Sequence, residues 1–175
     1  MKHSFCAVRG DFSIRPLAYN DIEQLRVWRN DSSNSKYLRK IPYIDAAAQN
    51  AWFESYLAND SEVCFAADYQ GSLVGSASLY HIKRDQAEFG RIMIGSSEFK
   101  GKGLGFRLSE LTVGVGFDQM GFERIEASVA IDNIAALFIY VRLGFCISGR
   151  VFNEESGHDE FELIIEPKRF FSLNE

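Results

Sequence analysis

The chain has 175 residues, a formal net charge of −5 and 46% apolar residues. That is the size of one domain with a core of its own, needing neither disulfide nor metal to hold it. The acidic balance excludes non-specific nucleic-acid binding as the main task, and no apolar run approaches the ~18 residues of a membrane span. Cys6, Cys64 and Cys146 are odd in number, lack metal-ligand spacing and sit beside apolar residues. Buried reduced thiols in a cytoplasmic protein are therefore expected, with no metal site. The opening MKHSFCAVRGDF lacks the apolar core of a signal peptide.

FSIRPL, from Phe12, alternates apolar and polar residues as a strand does. Asn20 offers a helix cap with Glu23 three residues on, and Ile22, Leu25 and Trp28 continue a helical face over 21–29. Residues 30–43 are polar, with Pro42 near the end, and read as loop or irregular helix. Asp45 caps a second helix, in which Trp52, Phe53, Tyr56 and Leu57 recur at helical spacing. The period then changes to two. Residues 63–69 and 72–80 flank Gln70-Gly71, a tight-turn signal, and 86–94 complete an antiparallel meander.

EFKGKGLG, residues 98–105, follows, and then a helix to about Met120. RIEASVAI, from Arg124, is a strand; Asn133 starts a helix that stops at Gly144. Strands from Phe145 and Glu160 close the chain. This order predicts a single α/β (α+β) domain over 1–175. Its mixed sheet of about six to seven strands carries helices on both faces, because hairpins give way to crossovers.

A glycine-rich loop at a helix start is a device for holding phosphates. The first helical turn leaves N–H groups without partners, the macrodipole adds positive potential, and glycines let the backbone approach a ligand. Gly101, Gly103 and Gly105 alternate here with Lys100, Lys102 and Leu104. The spacing matches neither a Walker A loop nor the GxGxxG dinucleotide fingerprint. A plain glycine-capped turn is the alternative reading.

A second stretch bears on that choice. NIAALFIYVRLGF, residues 133–145, resembles the GNAT acyltransferase signature N-x-x-A-x-x-x-Y-x-x-x-G-F, with Asn133, Ala136, Tyr140, Gly144 and Phe145 in register. The loop resembles the same superfamily's pyrophosphate signature [QR]-x-x-G-x-[GA], with Lys100 where Gln or Arg is usual. The resemblance covers roughly residues 62–166, an acetyl-CoA-binding core, leaving 12–60 as the acceptor side. It implies a GNAT fold with a splayed parallel strand pair and acetyl-CoA as cosubstrate. The pyrophosphate would lie on the loop from Lys100 to Gly105, and Asn133 would contact the cofactor or cap its helix. The pantetheine arm would pair with the backbone of Ile92, Met93 and Ile94. Tyr140 would protonate the leaving thiolate.

The implied chemistry is attack of a neutral amine on a thioester. Deprotonating an amine of pKa ~10.4 at pH 7 costs about 4.6 kcal/mol, against about 1.4 kcal/mol at pKa ~8. A base therefore matters. Glu88, expected on the same strand face as Ile92, is the candidate, with His81 as rival or as a substrate contact. The stretch VWRND, with Trp28, Arg29 and Asn30, and the aromatic helix around Trp52 would wall the acceptor site. Both resemble GNATs that acetylate amino sugars carried by nucleotides, although Gln49 and Asn50 stand where that branch commonly has a histidine. Ribosomal-protein N-terminal acetyltransferases of the RimJ/RimL type share the layout. The expected partner is thus a small-molecule amine, bound by a monomer or homodimer that touches neither nucleic acid nor membrane. The alternatives are a protein N-terminus as acceptor, or a non-catalytic acyl-CoA-binding module.

Overall fold

The computed structural model describes residues 2–35, 37, 42–154 and 156–174. Ala7–Arg9 (β1) and Phe12–Pro16 (β2) open the chain, followed by helices Ile22–Asn30 (α1), Ser32–Ser35 (α2) and Ala46–Ala58 (α3). The meander is Glu62–Tyr69 (β3), Ser72–Lys83 (β4) and Gln86–Ile94 (β5). Leu104–Asp118 (α4), Arg124–Ala130 (β6) and Ile134–Leu143 (α5) follow; Cys146–Asn153 (β7), His158–Ile165 (β8) and Pro167–Asn174 (α6) close the fold. Of the polar segment 30–43, residues 36 and 38–41 lie outside the described residues.

The strands form one eight-stranded sheet in the order β1-β2-β3-β4-β5-β6-β8-β7. It has one strand more than expected. The addition is β1, three residues paired antiparallel with β2 and too short to show a period. The C-terminal helix α6 is the other unpredicted element; it buries Phe170 against Phe117 of α4 (ring centroids 5.5 Å). Gln70 and Gly71 both have positive φ, 51° and 77°, as a two-residue hairpin turn requires.

Two apolar cores lie on opposite faces of the sheet. One holds Phe65, Leu79, Phe89, Leu108, Ile125, Tyr140, Leu143 and Phe145 under α4, α5 and α6. The other holds Leu25 and Trp28 of α1, Phe53 and Tyr56 of α3, and Cys64, Ala66 and Met93 of the sheet. Asp45 caps α3 as expected, its carboxylate accepting from Ala48 N at 2.8 Å. Asn20 does not cap α1. It sits in a 3₁₀ turn, and the buried Asp21 accepts instead from Ala18 N (2.8 Å) and from Arg15 (2.7 and 2.9 Å). The expectation of three buried thiols holds for Cys64 alone; Cys6 and Cys146 are exposed, and all three are free.

Candidate active site

β5 and β6 run parallel, and their ladder is short. It joins Gln86 to Arg124, Ala87 to Ile125 and Glu88 to Glu126, and then ends. β5 continues to Ile94 and β6 to Ala130 with no strand between them, so the sheet is split from Glu88 upward. A free strand edge offers N–H and C=O groups to an extended ligand. Gly95 N donates to Val74 O on β4 at 2.9 Å. Strand alternation then turns the Met93 N–H toward β4, and those of Ile92 and Ile94 into the gap. Of the three expected edge residues, two therefore present donors there.

β5 also carries a bulge. Ser76 pairs with Met93 and Ser78 with Gly90, so Ala77 faces both Arg91 and Ile92. Arg91 takes φ 53°. The extra residue flips the alternation, as bulges do. Ile92 and Ile94 pack toward the first core with Phe89, whereas Met93 belongs to the second. Glu88 thus shares its face with Arg91 and Met93. The expectation that it faces the same way as Ile92 fails for this reason.

The glycine loop closes one end of the split. Gly101 and Gly103 have φ 77° and 75°, and a Cβ on either would meet nothing within 4 Å. Backbone sign, rather than crowding, is what demands glycine at those two positions. Gly103 is the N-cap of α4, and no side chain caps the helix. Among the described residues, the N–H groups from Gly101 to Phe106 donate to no backbone carbonyl; the first to do so is Arg107, to Gly103 O at 3.3 Å. Lys100 reaches Ser33 Oγ at 3.4 Å, Lys102 lies 5.3 Å from the Phe99 ring centroid, and Arg142 stacks on Phe106. Gly105 faces Ile139 of α5, where a Cβ would come within 3.3 Å. Leu104 is buried in the core, so that it can offer only its backbone. A row of free donors among cations fits a pyrophosphate.

Tyr140 of α5 stands at the split. Its side chain is buried against Phe89 (5.7 Å) and Phe145 (5.4 Å). Its hydroxyl makes no hydrogen bond to a described residue. Yet His3 Nδ1 is the one sealed side-chain polar atom without a partner among them. The Tyr140 hydroxyl therefore opens onto free space. Burial, and then the charge of Glu88, push its ionisation well above the ordinary phenol range, so it stays a proton donor. Asn133 caps α5, accepting from Ala136 N at 3.2 Å.

Glu88 is held from two sides. The Tyr80 hydroxyl donates to Oε1 at 2.6 Å, and His81 Nδ1 lies 2.9 Å from Oε2. Tyr80 is half-buried; desolvation first and Glu88 second raise its ionisation far out of range, which keeps it a donor. Arg91 stacks over the Tyr80 ring at 4.3 Å and ion-pairs with the buried Glu62. Sequence reasoning missed Tyr80, Arg91 and Glu62. Alternation places Tyr80 opposite Glu88 once the β4–β5 register is known, but nothing in the sequence marks the bulge that brings Arg91 over the Tyr80 ring.

The acceptor-side expectations divide. Trp28 is core; Asn34 Nδ2 bridges its carbonyl (3.1 Å) and Gly95 O (3.0 Å), and its ring lies where a Cβ of Gly95 would be. It has no face left for stacking on a ligand. Asn30 is a clamp, bonded to Ile44 O (2.8 Å) and Ile44 N (2.9 Å) where the chain enters α3. Trp52 is partly exposed and stacks on Tyr56 at 5.8 Å. Arg29 is half-buried and forms no hydrogen bond or ion pair with a described residue. Burial, and then the nearby Arg91, weaken its hold on its proton. His81 joins Glu88, Glu126, Lys83 and Ser61 around one cleft.

A sheet split between parallel strands, a free backbone edge and unpartnered N–H groups at one helix start are features that suit an acyltransferase drawing its acyl group from a CoA thioester. The profile of the acetyltransferase (GNAT) domain family matches residues 11–146. The chain belongs to that family and is an N-acetyltransferase with acetyl-CoA as cosubstrate. Spermidine N(1)-acetyltransferase of Escherichia coli K12 is 29% identical over 144 residues, covering 81% of this chain and 76% of that protein. A Vibrio cholerae spermidine N-acetyltransferase, solved with CoA and spermine, superposes with a TM-score of 0.85 at 22% identity over 93% of this chain and 99% of its own. A dodecameric structure of the Vibrio cholerae enzyme gives 0.77 at 23% identity over 95% and 100%. These relatives are polyamine acetyltransferases. They correct the expected nucleotide-sugar and ribosomal-protein branches: Trp28 and Asn30 of the WRN stretch are core and clamp, so the stretch does not by itself mark an acceptor.

Proposed function

We propose that the acceptor is a polyamine of the spermidine type, acetylated on a primary amine. The observation that carries this is the open sheet face beside the split. Glu88 pairs with Glu126 across β5 and β6, and Ser128 with Glu162 and Ala130 with Glu160 across β6 and β8. Ile125, Ala127 and Val129 point into the first core, so these carboxylates share the other face. No residue of β6, β7 or β8 belongs to the second core, which leaves that face uncovered by α1 and α3. Of these pairs Glu88 and Glu126 set like charges directly opposite one another, which is destabilising. A cationic chain lying across them would relieve the repulsion. The spermidine acetyltransferases among the relatives support the same reading.

In this reading the loop from Lys100 to Gly105 holds the pyrophosphate, and the β5 edge holds the pantetheine arm. The Ile92 and Ile94 N–H groups are placed to meet the thioester carbonyl and the oxygen charge that develops on it. Tyr140 returns a proton to the departing thiolate. A second reading rests on Arg29: a half-buried guanidinium that meets no carboxylate among the described residues is a place for an anionic group on the acceptor, as on a nucleotide-linked amino sugar.

The test is release of CoA thiol from acetyl-CoA in parallel with spermidine, spermine, a nucleotide-linked amino sugar and peptides with ribosomal-protein N-termini. Turnover confined to the polyamines is expected. Turnover of the amino sugar alone would establish the second reading. Turnover of the peptides alone would overturn both.

A further inference from the structure

We infer that His81 is the group that takes the acceptor's proton, and that Glu88 is its positioning residue. The inference rests on the acetyl-transfer reading above and assigns a step within it. An ionised carboxylate only accepts hydrogen bonds, so the contact between His81 Nδ1 and Glu88 Oε2 at 2.9 Å places the proton on Nδ1. That fixes the tautomer and leaves the Nε2 lone pair free. The imidazole side chain is 69% exposed and that of Glu88 26%. Both groups line the cleft, and His81 is the more exposed to it and to solvent. Both Glu88 oxygens are already held by donors, and one of these, Tyr80, is kept protonated by desolvation. Glu88 is thus built to orient the ring and to stabilise an imidazolium.

The local backbone supports the same assignment. The β4–β5 ladder shifts register between Tyr80 and Lys83, and His81 takes φ 51°. A non-glycine residue in that region is uncommon, and here the strained position carries the ring out of the strand to Glu88. The other charged groups at the cleft are Lys83 of β4 and Glu126 of β6, the latter paired with Arg124 at 2.9 Å. Neither contacts the ring.

The step balances. The acceptor arrives as an ammonium and gives one proton to His81 Nε2, directly or through water. The neutral amine attacks the thioester carbon, the C–N bond forms and the C–S bond breaks. The proton remaining in excess on nitrogen ends on the thiolate. The imidazolium releases its proton to solvent, so each turnover yields amide, thiol and one proton.

Chemical rescue tests it. His81→Gly accepts the positive φ and leaves room for added imidazole; His81→Asn tolerates the same backbone but cannot carry the proton. Both should lower kcat by about 10²-fold or more with acetyl-CoA affinity unchanged by calorimetry. Imidazole should restore turnover in His81→Gly and leave His81→Asn slow. Glu88→Gln should slow turnover and show little further loss when combined with His81→Gly, as expected of residues acting as one unit. Wild-type kcat in His81→Gly, or a slow His81→Gly that imidazole does not rescue, overturns the assignment while the acetyltransferase reading stands. A wild-type protein that releases no thiol with any amine overturns both.

Discussion

Tyr140 shows what burial does to one side chain beside the split in the sheet. The ring is 4% exposed and packed by Phe89 and Phe145, yet its hydroxyl is left without a protein partner. Because the hydroxyl opens onto free space, a thiolate leaving from the split can meet it as it forms, which is when a proton is wanted. Tyr140→Phe keeps the ring and its packing. We expect kcat to fall about 10²–10³-fold, with acetyl-CoA affinity within a factor of two of wild type by calorimetry. Wild-type turnover would make the residue a core tyrosine and no more.

Among the elements, the glycine loop joins sequence to function most directly. Its spacing was legible because two positive-φ positions and a helix start leave a mark in residue type. Gly103→Val sets a β-branched residue at φ 75°. The structure changes the reason for the expected defect: no protein atom lies within 4 Å of the added Cβ, so the damage is to loop conformation and to the space above it. Acetyl-CoA affinity should fall at least about 10-fold in a variant that still unfolds cooperatively; unchanged affinity would remove the loop from the binding site. The meander, α4, α5 and the asparagine cap at Asn133 were legible for the same kind of reason, as period, cap and glycine stop. β1 and α6 were not, because three residues show no period and an eight-residue helix draws its stability from Phe170 packing. The bulge at Arg91 was invisible too. It depends on register against β4, and it reassigned the face of Glu88. Trp28, Arg29 and Asn30 are consecutive, yet become core, a half-buried cation without an ion pair among the described residues, and clamp. Residue type alone does not separate those fates.

Over the whole molecule, charge is unevenly placed, and this bears on the acceptor. The net charge is −5. The glycine-loop side gathers Lys100, Lys102 and Arg142, while the face of β5, β6 and β8 gathers Glu88, Glu126, Glu160 and Glu162 against Arg124, which pairs with Glu126, and Arg91. Such a division attracts a polyanion to one side of the split and a polycation to the other. Arg29 interrupts the second half of that arrangement. Without an ion pair among the described residues and close to Arg91, it would repel an ammonium on one flank of the site and turn a polyamine toward the carboxylates of β6 and β8. Arg29→Gln separates the two acceptor readings by sign. If the acceptor is a polyamine, removing the charge should lower KM for spermidine about 2- to 5-fold, with kcat little changed, and the effect should shrink as salt is raised to ~0.5 M and screening shortens. If the acceptor carries a phosphate or carboxylate, the same substitution should raise KM for it by about 10-fold or more, because a charge-assisted bond is lost from a half-buried site. Initial rates for the wild type and this variant, measured with spermidine and with a nucleotide-linked amino sugar at two salt concentrations, decide between them.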